Sequence, residues 1–194
     1  MTSSKIDNQF KQILLSAGIL FVVVVFSRII PHPWNFTAVG SAGLIAGYLA
    51  LNSWTREKNK VRGVQSVGLF LVPVLAMFLT DFLIFGFYEG VVFNYIALGV
   101  ASVLGGVWKN SNFETSWKLG AGLSFLSSLT FFVLSNFAVW KFSGMYALSL
   151  EGLLQCYVMA LPFFHWQVLG DLFYLGLFVL ALSPVARLSR VVRA

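Results

Sequence analysis

Gln12 to Pro33 reads QILLSAGILFVVVVFSRIIPHP. Its first sixteen residues, Gln12 to Ser27, carry no charge. A helix of about 20 apolar residues matches a hydrocarbon core about 30 Å thick, so the stretch predicts a bilayer-crossing helix. Pro31 and Pro33 end it, because neither can donate a backbone hydrogen bond. Lys5 and Lys11 precede the run as they would in a secretory leader, but no small-x-small cleavage site follows. The expectation is a retained first helix.

The pattern recurs along the chain. Of 194 residues 58% are hydrophobic and only 10% charged, where a water-soluble domain carries about 25% charged residues. So few charges cannot cover a water-facing surface. Apolar runs predict six spans in a single domain, residues 1–194: Gln12–Ile30, Asn35–Leu51, Val64–Tyr88, Val91–Trp108, Lys118–Phe142 and His165–Leu182. Leu150–Met159 reads as a short interfacial or re-entrant helix, ended by Pro162 ahead of the last span. The fold class expected is all-α, a polytopic membrane bundle of six transmembrane helices.

Charge sets its direction. Six spans put both termini, the second-to-third link and the fourth-to-fifth link on one side. Lys5, Lys11, Arg56, Lys58, Lys60, Arg62, Lys109, Lys118, Arg187, Arg190 and Arg193 fall there, with only Arg28 and Lys141 on the other. Eleven against two predicts both termini in the cytoplasm of a bacterial inner membrane. The formal charge of +6 is explained by this orientation, and no nucleic-acid partner is expected; membrane lipid is the partner.

Span 2 carries Ala38, Ala42, Ala46 and Ala50 at every fourth position, with Gly43 and Gly47 beside them. Span 4 carries Ala97, Ala101 and Gly105. Such rows let helix backbones approach closely. Packing within one chain is the plainer reading, and a docking face for another subunit the sharper one.

Chemistry-bearing motifs are sparse. G-x-x-x-x-G-K-[ST], H-E-x-x-H and G-x-S-x-G are all absent. Cys156 is the only cysteine, which rules out a disulfide framework. No cofactor is expected. Asn35-Phe36-Thr37 fits a glycosylation acceptor but sits at a membrane edge. Ionisable groups inside a span cost roughly 2.5–3.5 kcal/mol, so each calls for a partner, a cavity or a function. The candidates are Arg28, His32, Asn35, Thr37, Asp81, Asn136, Trp140, His165 and Asp171, with Tyr88, Glu89 and Gln167 nearby. All project to the outer half of the predicted bundle, which points to an outward-opening pocket. Trp34, Phe36, Phe137, Trp140, Phe163, Phe164 and Trp166 fall there too, and for them an interfacial belt is the plainer account. Asp81 and Asp171 can each neutralise Arg28 or stay protonated. His32 and His165 with the two aspartates could hold a divalent metal, without helical i, i+4 spacing to support it. Four acids on that side (Asp81, Glu89, Glu151, Asp171) against two bases favour a cationic or neutral ligand.

Arg28-x-x-Pro31-His32-Pro33-x-Asn35-Phe36-Thr37-x-Val39-Gly40 resembles the signature of an uncharacterised family of small bacterial membrane proteins. So do Thr80-Asp81, Ser135-Asn136-Phe137-x-Val139-Trp140, Cys156-Tyr157-x-x-Ala160-Leu161-Pro162-Phe163-Phe164 and Leu169-Gly170-Asp171-Leu172. That family is similar in size and topology to the substrate-binding S components of energy-coupling-factor (ECF) transporters, a likeness at the level of fold. It implies capture of a vitamin or metal ion near the outer face, with energy supplied by a separate transmembrane subunit and ATPases. S components often carry their small-residue docking row on the first helix; here Ile13 to Phe26 lacks one and span 2 has it. Three functions follow as expectations: a small-molecule or cation uptake subunit, a structural or assembly subunit of a larger membrane complex, and an intramembrane enzyme using His32, His165 and Asp171. The third lacks a nucleophile or metal motif, so no enzymatic activity is expected.

Overall fold

A computed structural model describes residues 3–56, 60–108 and 117–191. Among these the chain forms six α-helices: α1 Ser3–Ile29, α2 Val39–Arg56, α3 Lys60–Thr80, α4 Val91–Val107, α5 Trp117–Phe142 and α6 Leu150–Val191. A π-helical turn, Asp81–Phe85, continues α3. The all-helical expectation holds. Phe10–Ile29, Trp117–Phe142 and Leu150–Ser183 are long and apolar enough to cross a membrane, and Val39–Leu51, Gly68–Ile84 and Val91–Val107 are shorter apolar helices. Large side chains such as Phe82, Leu83, Val103 and Leu180 lie more than 60% exposed, a surface suited to lipid. Lys58, Lys109 and Arg193 of the basic tally lie outside the described residues.

One element departs from expectation. The helix predicted over 150–159 and the span over 165–182 are a single helix of 42 residues, about 63 Å long at 1.5 Å per residue. Pro162 does not end it. Ser149 starts it, accepting the Gly152 N–H at 3.2 Å. Its first turns are held on α5: the Tyr157 hydroxyl donates to the Val133 carbonyl at 2.8 Å and the Cys156 thiol to the Asn136 carbonyl at 3.4 Å. Phe132 packs between Tyr157 and Phe164, with centroids 5.7 and 4.8 Å away. Membrane helices tolerate such a proline where neighbours support the backbone. The consequence is positional. Asp171 is not near the outer end of a short span but about the middle of the helix Leu150–Val191.

Helix α2 is the hub, packed on α4, α3, α6 and α5. Ala38, Ala42, Ala46 and Ala50 are 0–2% exposed, so the small-residue row is consumed inside the chain and offers no docking face. Its partner is α4, which runs parallel to it. A side chain at Gly43 would meet Leu98, one at Gly47 the Ser102 carbonyl, and one at Gly106 Leu51. The register advances four residues on each helix at each step. Gly105 likewise lies against the Leu44 carbonyl. Backbone touches backbone because hydrogen is all that stands between them. Trp108, 1% exposed, closes the end of this pair, with Gly120 against its ring and Tyr48 at 5.2 Å.

Gly105→Ala is expected to destabilise by about 1–3 kcal/mol through overpacking. Gly99→Ala, on the same helix with open space at its Cβ position, is expected to be neutral. Thermal unfolding of the two purified variants checks the contrast.

Candidate functional site

The link from Ile30 to Ala38 positions both polar clusters. Pro31 and Pro33 prevent α1 from continuing. Asn35 takes a left-handed conformation at φ 66°, which asparagine tolerates better than most residues. Hydrogen bonds from Phe36 N to Pro33 O and from Thr37 N to Asn35 O, both 3.0 Å, fold the link into a tight turn. It lies against α6, where Phe36 packs on Phe173 and Tyr174 at 5.7 Å and Trp34 on Phe163 at 6.4 Å. Gly170 permits this approach, since a side chain there would meet the Phe36 and Thr37 backbone at 3.0–3.2 Å.

Helix α2 therefore begins inside the bundle, where its free N–H groups have no water. Two other helices supply acceptors. The Ser27 hydroxyl on α1 accepts the Ala38 N–H at 3.0 Å and donates to the Val24 carbonyl at 2.8 Å. The Asp171 carboxyl on α6 accepts the Ser41 N–H at 3.0 Å. Its other oxygen lies 2.6 Å from the Ser128 hydroxyl on α5, and Gln167 donates to the Ser128 carbonyl at 3.1 Å. Gly40 makes room, because a Cβ there would sit 2.5 Å from the carboxyl. Asp171 thus caps α2 from 130 residues away and does not pair with Arg28.

Arg28, one residue beyond Ser27, turns to the opposite side. It donates to Asp81 at 2.5 Å, with side chains 11% and 1% exposed. The second Asp81 oxygen accepts the Tyr95 hydroxyl at 2.9 Å. Asp81 opens the π-helical turn that follows Thr80, and such turns frequently fall at functional sites. Gly86 and Gly90, at φ 67° and 86°, reverse the chain and bring Tyr88 back within electrostatic reach of Asp81 and Arg28. The Asn94 side-chain amide donates to the Tyr88 hydroxyl at 2.6 Å. The Asn94 carbonyl oxygen is buried and has no partner.

The other expected site residues do not join either cluster. The Asn136 amide donates to Phe132 on its own helix at 2.8 Å. Trp140 donates to the Ala147 carbonyl at 2.9 Å and closes the α5–α6 turn. The His32 Nδ1 lies 2.7 Å from the Pro33 carbonyl and the residue is half-buried. His165 packs against the neighbouring Trp166 ring, centroids 4.8 Å apart. Asn35 and Thr37 shape the link through their backbone. No group of three potential ligands suited to a metal ion occurs among the described residues. Tyr95, Asn94, Ser27, Ser41 and Ser128 escaped the sequence reading; Asn94-Tyr95 did leave a trace as a polar pair opening an apolar run.

Residues 7–191 match the model of a family of unknown function, DUF6580. The chain belongs to that family. No curated protein and no solved structure matches it.

Removing one partner of a buried ion pair leaves the other charge uncompensated, at about 3–5 kcal/mol. Asp81→Asn and Arg28→Gln are each expected to lower stability strongly, and the double variant to recover much of the loss. A double-mutant cycle read by thermal unfolding measures the coupling.

Proposed function

We propose that this chain is an integral membrane protein that captures a small molecule or cation at the cluster of Arg28, Asp81, Tyr88, Asn94 and Tyr95. The observation that carries the reading is the buried Asn94 side-chain oxygen without a protein donor, joined through Tyr88 to a hydrogen-bonded ion pair. Buried polar atoms are normally satisfied, and this acceptor has room for a donor or ion from outside the chain. An N–H or O–H group, or a cation, meets that need. Tyr88, 45% exposed, connects the cluster to the surface.

In this reading all six helices cross a bacterial inner membrane with both termini in the cytoplasm. The eleven-to-two basic split supports that direction, and it puts the Arg28 cluster on the outward side. Capture there, with energy from a separate transmembrane subunit and ATPases, is the arrangement of ECF S components. The lack of a P-loop motif agrees with an external energy source. A structural or assembly role rests on the lack of a complete catalytic motif and on the α2 small-residue row, and that row packs internally.

Native mass spectrometry of protein extracted from its own membranes tests the site. A bound small molecule is expected on the wild type and is expected to be lost from Asn94→Leu and Tyr88→Phe at unchanged thermal stability. Equal occupancy of all three proteins would reject this location, and an empty wild type would reject capture.

A further inference from the structure

We propose that Asp171 is a proton-binding site in the middle of the bundle, its proton held between the carboxyl and the Ser128 hydroxyl. The site is distinct from the Arg28–Asp81 cluster and stands independently of the ligand-capture reading. Asp171 is 3% exposed and Ser128 fully buried.

The surroundings are uncharged. From α2 the groups facing the carboxyl are Gly40 and the Ser41 N–H. From α5 it meets Ser128, with Ser124 and Ser127 buried beside it. From α1, Ser27 is committed to the start of α2 and Arg28 to Asp81. On α6 itself, Gln167 turns to the Ser128 carbonyl, Tyr174 lies against Phe36, and His165 packs against Trp166. Among the described residues no cation acts on this carboxyl. An ionised carboxylate without a counter-charge in an apolar interior neutralises instead.

Hydrogen positions lead to the same state. The Ser128 oxygen lies 3.0 Å from the Ser124 carbonyl and 2.6 Å from Asp171 Oδ2. An ionised carboxyl makes both of these acceptors, and a hydroxyl has one hydrogen. A protonated Oδ2 resolves the conflict: Oδ2–H donates to Ser128, Ser128 donates to Ser124, and Oδ1 accepts the Ser41 N–H. Each of these three hydrogens then has an acceptor. One turn along α5, the Ser124 hydroxyl is 1% exposed and without a partner, a place where a buried water extends the chain. The N-terminus of α2 favours negative charge at the same carboxyl, with an effective charge of roughly +0.5. This offsets part of the cost of ionisation and makes the proton exchangeable rather than permanent.

Infrared spectroscopy of the purified full chain decides the matter. At pH 7 the wild type is expected to show the carbonyl stretch of a protonated, buried carboxylic acid. The Arg28→Gln/Asp81→Asn double variant, which removes the other buried carboxyl together with its counter-charge, should keep that band and Asp171→Asn should lose it. Asp171→Asn keeps an oxygen for the Ser41 N–H and an N–H for Ser128 and leaves one further N–H over, so it should unfold only slightly earlier than wild type. Ser128→Ala should keep the band at a shifted frequency, a readout that stands even if Asp171→Asn fails to fold. No band in the wild type, a band that survives Asp171→Asn, or one unmoved by Ser128→Ala would overturn the proposal.

Discussion

The start of α2 is the constraint on which the rest of this protein depends. An α-helix leaves its first four N–H groups without partners inside the helix. At a water-facing end solvent takes them; inside an apolar bundle each vacancy costs several kcal/mol. Here α1 brings Ser27 to Ala38 and α6 brings Asp171 to Ser41. Two of the N–H groups at the helix start therefore find acceptors, and the same two contacts set where α1 and α6 stand relative to it. The glycines at 40 and 170 follow from the same constraint, since a side chain at either would displace the carboxyl or the Phe36–Thr37 backbone.

From that anchor the packing spreads in two directions. Toward α4, α2 presents glycines and alanines and meets a matching set, so the two backbones touch where Gly43, Leu44 and Gly47 meet Leu98, Ser102 and Gly105. Toward α3, the neighbouring Arg28 reaches Asp81 at the π-helical turn. The end of α1 thus divides its polar work between adjacent residues. Ser27 serves the helix that follows in sequence, and Arg28 serves the helix on the other flank. Two polar clusters arise in an otherwise apolar bundle. One is closed in on three helices, and the other reaches the surface through Tyr88.

Much of the candidate site was legible in the residues, because charge in a membrane segment is expensive enough to need a reason. Arg28, Asp81 and Asp171 stood out for that cause, and all three are buried or nearly so. Their partners were not legible. Serine is unremarkable in a membrane helix, so nothing marked Ser27 or Ser128. Asn136 and His165 looked equivalent to Asp171 by position, yet one bonds its own helix and the other packs against Trp166. Position along a helix says little about which face a residue occupies once the helix length is misread. Treating Pro162 as a terminator did this, placing Asp171 near an outer end instead of the middle of α6.

The amino-acid sequence by itself determined the all-helical class, the apolar surface, the end of α1 and both ends of α4 and α5. These follow from local properties: hydropathy over about 20 residues, prolines that cannot donate, and glycines that turn the chain. The tertiary structure decided what no local rule contains. It turned the α2 row inward onto α4, paired Arg28 with Asp81 rather than Asp171, carried α6 through Pro162, and set Asp171 at the start of α2. Each outcome joins residues far apart in the chain, where a choice among several chemically adequate partners depends on which helices pack side by side.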